Sequence, residues 1–321
     1  MKYNKYLNSE GKLYRKENTV YFIDITGKKT PIPVEKIYAI YCYKEVSFTS
    51  SVVILLAKYN IPIHYFGRYG NYVGTFYPKG ENYSGKVIVK QSENYLNSEK
   101  RNYLAKEFVK GSILNISKNL NRYKLDYDKE TYLKMLEKAN RITDIMNVEA
   151  IMRNEYYGNF DKIFKNFEYE KRTRRPPENE INSLISFGNS LLYSTVISEI
   201  FNTHLTPSVS YLHEPVERRY SLALDLADVF KPIFVDRIIF NLINKKIINE
   251  NHFEKDLNSC LLNDEGRKIF LTAYNERLQR TIKHRKLNRN VSYQRLLRLE
   301  CYKLEKHIMG IEQYSPFVIW W

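Results

Sequence analysis

Short apolar and aromatic runs broken by turn residues fill the first 78 positions of the chain. Thr19 to Ile25 is β-rich and turns at Thr26-Gly27, and Lys28 to Val34 follows as a second extended stretch containing Pro31 and Pro33. Ile37 to Tyr43 reads as a third strand, and Ile61 to Phe66 and Tyr72 to Tyr77 as two more. Ser50 to Tyr59 has a continuous apolar centre, Val52 to Ala57, that suits a buried strand or a helix; its length and the candidate cap Ser50 favour the helix. Five of the twelve glycines lie between Gly67 and Gly85, with Pro78 among them, which marks turns and a joint.

Beyond that joint the spacing becomes helical almost throughout. It predicts helices over Ser98 to Leu120, Glu130 to Arg153, Glu180 to Phe201, Tyr220 to Phe230 and Pro232 to Lys246, and over Asp264 to His307 in two or three pieces. The expected fold class is therefore α+β. A small amino-terminal β-sheet domain (1–78) and a linker (79–88) precede a large all-α domain (89–321).

One position breaks the helical pattern. Ile142, Ile145, Met146, Glu149, Met152 and Tyr156 form an apolar stripe in which only Glu149 is charged. A carboxylate on such a face needs a cation or a proton. Company of that kind lies between His213 and Asp228, where one imidazole joins Asp225 and Asp228, spaced i, i+3 on one side of a helix. Two or three carboxylates and one imidazole suit a magnesium or manganese ion, the imidazole widening the choice towards manganese. A plainer account fits the same residues: Glu149 paired with Arg153, Asp225 and Asp228 on a solvated face, His213 hydrogen-bonded in a core.

Charge sharpens the picture. Lys+Arg number 51 against 36 Asp+Glu, a net charge of +15, and a polyanionic partner is favoured, nucleic acid first. Two basic runs stand out. Lys171-Arg172-Thr173-Arg174-Arg175 runs into Pro176-Pro177 and should be a loop. Arg277, Arg280, Lys283, His284, Arg285, Lys286 and Arg289 are expected to make a cationic helix face that holds phosphates, as is the first run, and 28 tyrosines offer stacking surfaces. Met1-Lys2-Tyr3-Asn4-Lys5 leads into no apolar core and no run reaches the ~18 apolar residues of a membrane span, so the chain is expected in the cytoplasm and off the membrane. Cysteines 42, 260 and 301 are odd in number and lack metal-type spacing, which suits packed, reduced thiols.

Two motifs fail. Gly80 to Lys86 has the spacing of a phosphate-binding loop, but Val87 replaces the hydroxyl that would hold magnesium. His213-Glu214 begins like a zinc-protease helix, yet residue 217 is glutamate and Pro215 interrupts the helix.

The order Asn147-Val148-Glu149-Ala150, Tyr156-Tyr157, Arg175-Pro176-Pro177, Asn182 to Gly188, Leu191-Leu192-Tyr193, Leu205-Thr206-Pro207, His213 and Leu224 to Asp228 resembles the CRISPR-associated adaptation integrases, the Cas-one family. Gly11-Lys12-Leu13, Thr30 to Val34, Ile63 to Phe66, Tyr72-Val73-Gly74 and Pro78 resemble the branch found in subtype I-B systems. Asn147, Ala150, His204 and Ser210 stand where that family often has glycine, a departure in backbone geometry that removes no ligand. The resemblance implies a β domain that dimerises and a helical domain whose Glu149, His213 and Asp228 hold Mg2+ or Mn2+, with Asp225 close by as a further catalytic acid. It implies a DNA endonuclease and integrase of spacer acquisition. With a small ferredoxin-like partner, Cas-two, such an enzyme joins the 3′-hydroxyl ends of captured fragments to the CRISPR repeat. The alternative is a non-catalytic dimeric scaffold that binds nucleic acid and uses the same acids as internal salt bridges.

Overall fold

In the computed structural model, which describes residues 2–79, 84–164, 167, 169–174, 176–215 and 220–320, the chain forms two compact units, Met1–Glu81 and Asn82–Trp321. The first unit is built from β1 (Tyr3–Leu7), β2 (Gly11–Lys16), β3 (Thr19–Asp24), β4 (Lys29–Ile32), β5 (Ile37–Cys42), β6 (Val46–Phe48), α1 (Ser50–Lys58), β7 (Ile63–Phe66) and β8 (Tyr72–Phe76). Two four-stranded sheets result, ordered β4-β3-β2-β6 and β1-β5-β7-β8. Alternation sets the register: Leu13 opposes Phe22 on one face while Tyr14 opposes Tyr21 on the other. Leu13, Val20, Phe22 and Ile32 share a core with Leu7, Ile40, Cys42 and Ile63, closed by Val52, Leu55 and Leu56 of α1.

The β3–β4 turn is made by Asp24, which accepts hydrogen bonds from the backbone N–H groups of Thr26 and Lys28, both at 3.0 Å, and by Gly27 at φ +81°. Pro31 is tolerated because β4 is an edge strand. The helix expected from Ser50 is present as α1. Strands β1, β2 and β6 are additions, because Lys, Asn and Arg interleaved with their apolar residues mask the alternation.

The second unit contains α2 (Gly85–Leu96), α3 (Ser98–Asn121), α4 (Lys129–Lys138), α5 (Ile142–Gly158), α6 (Phe160–Ile163), α7 (Glu180–Phe201), α8 (Ser221–Lys231), a π-helical turn (Pro232–Asp236), α9 (Arg237–Asn244), β9 (Phe253–Asp256), β10 (Ser259–Leu262), α10 (Asp264–Gln279), β11 (Thr281–His284), β12 (Arg289–Ser292) and α11 (Tyr293–Ile308). The α+β order matches expectation, with two hairpins added to the helical part. The stretch expected to be one helix from Glu130 to Arg153 is two, since Asp144 accepts from the Arg141 N–H at 3.2 Å and starts α5 afresh. Helix α2 begins inside the stretch read as a linker; residues 80–83 of the rejected phosphate loop lie outside the described residues, as does Glu217.

Helix α7 is long and apolar enough to cross a membrane by length and composition, and 72% of that apolar window is buried inside the protein. It packs against α8 and α11 at the centre of the unit. Close approach requires Gly188, where a Cβ would meet Val235 Cγ1 at 2.5 Å and the Phe270 ring at 2.9 Å. The three cysteines are free and buried, and burial pushes the Cys42 and Cys260 thiols up to about 12.

The carboxyl-terminal tail docks on this unit. Asn115 of α3 accepts from the Ile319 N–H at 2.9 Å and donates to the carbonyls of Val229 at 2.8 Å and Phe317 at 2.9 Å. Phe317 stacks on Phe230 at 5.4 Å, and Glu300 accepts from the Tyr314 hydroxyl and the Phe317 N–H. The tail is thus tied to α8, the helix that carries Asp228. Asn115→Ala leaves three buried backbone groups without this partner and should lower the unfolding free energy by about 2–4 kcal/mol. A urea midpoint within error of the parent would show that this side chain does not hold the tail.

Candidate active site

Two helices bring two acids together. Ile145, Met152 and Tyr156 bury the inner face of α5, while Met146 is 41% exposed, so Glu149 sits at the edge of the apolar stripe with its side chain 23% exposed. Asp228 projects from α8 and is almost fully buried. Arg153, one turn after Glu149 and itself buried, donates from Nε to Glu149 and reaches Asp228 Oδ1 with Nη2 at 3.2 Å. Lys231, one turn after Asp228, pairs with the same Oδ1. Burial favours the neutral acid, but Arg153, Lys231 and His213 outweigh it and hold the Asp228 carboxyl far below its ordinary value. Burial likewise works against the Arg153 cation, and Asp228 and Glu149 reverse the balance. For Lys231 burial wins, and its ammonium is held below its ordinary value despite Asp228.

Asp225 does different work. Completely buried, it accepts from the N–H groups of Tyr211 at 2.7 Å, Leu212 at 3.0 Å and His213 at 3.0 Å. His213 Nδ1 lies 2.7 Å from the same carboxylate. An ionised carboxylate only accepts, so Nδ1 carries the proton and Nε2 is left as the ring's second donor-acceptor position. Burial lowers the imidazole pKa, but the hydrogen bond and charge of Asp225 and the charge of Asp228 outweigh it and raise it above the ordinary value. The Asp225–His213 pair is the carboxylate–imidazole relay that fixes ring orientation in metal sites.

Glu149, Asp228 and His213 offer two carboxylates and one imidazole nitrogen, a donor set that fits a magnesium or manganese ion. Among the described residues no three acidic, imidazole or thiol side chains are already gathered around one point. Arg153 and Lys231 balance the acids instead, and an ion would have to displace them from the carboxylate oxygens. The plainer pairing of Glu149 with Arg153 is therefore present. The hydrogen bond expected of His213 is present too, to Asp225, although its ring is 31% exposed rather than enclosed in a core; the reading of a solvated Asp225–Asp228 face does not hold, since both acids are buried.

The basic runs are placed unevenly. Lys171 and Arg174 are exposed. Arg172 turns inward, where its guanidinium donates to Asn182 Oδ1 at 3.0 Å and Ser186 Oγ at 2.9 Å, so it holds the loop to α7 rather than offering itself to phosphate. Arg175 lies outside the described residues. The expected helix from Arg277 to Arg289 is corrected: α10 stops at Gln279, and Lys283, Arg285, Lys286 and Arg289 are exposed on the β11–β12 hairpin. Thr281, Ile282, Val291 and Ser292 alternate across that hairpin, a period of two hidden under the charge. Arg277 is half-buried, donates to the Ile233 carbonyl at 2.7 Å and lies 4.0 Å above the Tyr293 ring, while Arg280 is exposed.

Sequence reasoning missed Lys231 and Asp236. Lys231 stands at i+3 from Asp228, a spacing that could have revealed it. Asp236 closes the π-helical turn, fully buried, and accepts from the Tyr156 hydroxyl at 2.8 Å; Tyr156 in turn accepts from Asn119 at 2.8 Å. Its only sequence signal is a charge ending the short apolar run from Pro232 to Val235.

Within the helical unit, an acid pair across two core helices thus lies beside an imidazole held by a third carboxylate. The family described as CRISPR associated protein Cas1 matches residues 5–276. Relatives include CRISPR-associated protein Cas1 1 of Methanobrevibacter ruminantium, 54% identical over all of this chain and 99% of its own length. CRISPR-associated endonuclease Cas1 of Pyrococcus horikoshii is 51% identical over 97% of both. The solved structure of TM1797, a Cas1 protein from Thermotoga maritima, superposes with a TM-score of 0.91 at 43% identity, covering 98% of this chain and 99% of that one. The chain belongs to the Cas1 family.

Burial pushes the Asp236 carboxyl up to about 7, against the hydrogen bond from Tyr156 and the charges of Arg153, Lys231 and Arg172. A carboxyl raised on folding stays protonated in the native state after the unfolded chain has released its proton, so stability falls as pH climbs from about 4 to about 7. Asp236→Asn removes this dependence. The stability of the variant relative to the parent should grow by at most about 1.4 kcal/mol per pH unit across that window and level off above it. A difference that stays flat from acid to neutral pH would show that Asp236 is ionised in the fold throughout.

Proposed function

We propose that this protein is a divalent-metal-dependent DNA endonuclease and integrase that acts in CRISPR spacer acquisition. The observation that carries the reading is the convergence of Glu149 and Asp228 on Arg153 beside a His213 oriented by Asp225. Glu149, Asp228 and His213 Nε2 would hold Mg2+ or Mn2+, whose Lewis acidity polarises a phosphodiester and stabilises the attacking or leaving oxygen. Asp225 keeps the His213 proton on Nδ1 and the ring in place. Arg153 and Lys231 keep the Asp228 carboxylate ionised before an ion arrives and would supply positive charge where a phosphodiester enters. A 3′-hydroxyl of a captured fragment is joined to the repeat by transesterification.

The named activity of the endonuclease relatives supports this reading. So does the fold: a casposase bound to its integration product shares it at a TM-score of 0.89 and 20% identity, over 99% of this chain and 93% of that one. A Cas6-RT-Cas1–Cas2 complex contains a chain with the same fold at a TM-score of 0.85 and 18% identity, covering all of this chain and 36% of that one. On this reading the partners are fragment and repeat DNA, a second copy joined through the β unit, and a small Cas-two protein, and the work is done in the cytoplasm. Lys171, Arg174, Arg175, Arg280, Lys283, Arg285, Lys286 and Arg289 would hold phosphates without reading sequence.

One observation favours the rival scaffold: Arg153 already neutralises both acids. A scaffold would bind DNA equally well in chelator and gain no thermal stability from manganese. Strand transfer of a labelled 3′-hydroxyl duplex into a supercoiled repeat plasmid, with the small partner present, separates the two. Joining should require Mg2+ or Mn2+ and fall at least about 100-fold in His213→Ala, with DNA affinity nearly unchanged. Normal joining by His213→Ala would remove the proposed site, and tight binding with no joining in any metal would establish the scaffold.

A further inference from the structure

The chain between α7 and α8, residues 202–220, forms neither helix nor strand among its described residues, and it delivers His213. It exceeds the roughly 12–15 residues of ordinary connections, a length that functional loops reach. Without a ladder of its own, its buried backbone groups must find side chains. Gln91 of α2, fully buried, serves the first half. Its amide accepts from the Thr206 N–H at 3.0 Å and donates to the carbonyls of Thr206 at 2.9 Å and Val209 at 3.0 Å. The Gln91 carbonyl accepts from the Tyr211 hydroxyl at 3.3 Å.

The turn from Tyr211 to Glu214 is held from two helices. Asp225 of α8 takes its N–H groups, and Arg101 of α3 takes the acceptors on either side of His213. The Arg101 Nε donates to the Tyr211 carbonyl at 3.0 Å and Nη2 to Glu214 Oε1 at 2.6 Å, so one guanidinium spans the histidine. The Tyr95 ring lies 4.3 Å from that guanidinium, and its hydroxyl donates to the other Glu214 oxygen at 3.1 Å. Ser210 Oγ closes the turn on the His213 carbonyl at 2.5 Å. A surface ion pair accounts for little of this, because Glu214 is 46% exposed and such pairs add little stability. Arg101 is only 15% exposed, and its planar fork serves a buried loop carbonyl and a carboxylate at once, which a lysine ammonium at the end of a flexible stem does not.

We propose that Arg101 is a positioning residue for His213, fixing the Tyr211–Glu214 turn from α3 while Asp225 fixes it from α8. Asp225 sets which way the imidazole points, and Arg101 sets where the turn that carries it lies. The ring reaches Asp225 only while that turn stays in place. The inference rests on the role proposed for His213 above, and a readout without metal or DNA keeps its test separate from that role.

The test uses the full chain carrying the heavy nitrogen isotope in histidine, free of metal and in alkaline buffer, where imidazoles are neutral. A long-range proton–nitrogen NMR spectrum shows which ring nitrogen carries the proton, and His213→Ala identifies the His213 signals among the six histidines. The parent should show His213 protonated at Nδ1. In Arg101→Ala its two nitrogens should move toward the averaged positions of a free imidazole, with the other histidines unchanged. Arg101→Lys, the milder change, keeps the charge but not the two-point hold, and should move them the same way. In strand transfer Arg101→Ala should lower the joining rate at saturating DNA about tenfold and leave the half-saturating DNA concentration unchanged. It should add nothing to the loss in His213→Ala, since both act through one ring. His213 signals at parent positions in Arg101→Ala would overturn the proposal, and with a lower Tm would make Arg101 merely structural. Losses of joining that multiply between the two substitutions would overturn it as well, as would a parent spectrum in Arg101→Lys, which would leave charge alone as the cause. If the His213 signals move as expected while the parent joins no DNA in any metal, the integrase reading fails alone.

Discussion

Arg153 stands between Glu149 and Asp228 and offsets the burial that would otherwise drive the Asp228 carboxylate toward its neutral form. Its guanidinium spans Glu149 of α5 and Asp228 of α8, and with Lys231 it keeps charge in a place where charge is expensive. The pairing explains why a helix can carry an acid at the margin of its apolar stripe, and it fixes how two core helices face one another. It also sets the terms on which a metal can enter. On the proposed reading an ion would have to compete with cations already bound to Glu149 and Asp228, and the centre would be held together before loading rather than assembled by the ion.

The rest of the helical unit supports that junction from behind. Asp225 gathers three backbone N–H groups and an imidazole from the loop at Tyr211 to His213, so one buried acid determines where His213 points. On the other side of α8, Asn115 and Phe317 lock the carboxyl-terminal tail to Val229 and Phe230, the residues directly after Asp228. A strap there limits the freedom of α8 to shift. Gly188 lets α7 approach the π-helical turn that follows, where any Cβ would collide with Val235.

Much of this was legible in the sequence because burial leaves periodic traces. The lone charge in an apolar stripe pointed to Glu149, and the i, i+3 acids pointed to α8. Resemblance added the roles, which spacing alone left open between a metal centre and salt bridges. What escaped was non-local or masked. Arg277 and Arg172 read as surface cations, since nothing in a basic run tells which guanidinium turns inward to a carbonyl or an amide. The β11–β12 hairpin read as helix because lysines and arginines hid its two-residue period. Asp236 fell inside the helix expected from Pro232 to Lys246, and only three-dimensional packing shows it bonded to Tyr156. The different places of Asp225 and Asp228, which the resemblance implied, do not follow from spacing, for they depend on a loop folding back over α8.

The central claim is that His213 presents Nε2 to the same ion that Glu149 and Asp228 hold. Electron spin echo spectroscopy of the protein loaded with one equivalent of Mn2+ tests it most directly, because an imidazole nitrogen bound to manganese modulates the echo. A single nitrogen coupling, present in the parent and lost in His213→Ala, is the predicted result. Manganese bound without nitrogen coupling, or a coupling that survives the substitution, would contradict the account.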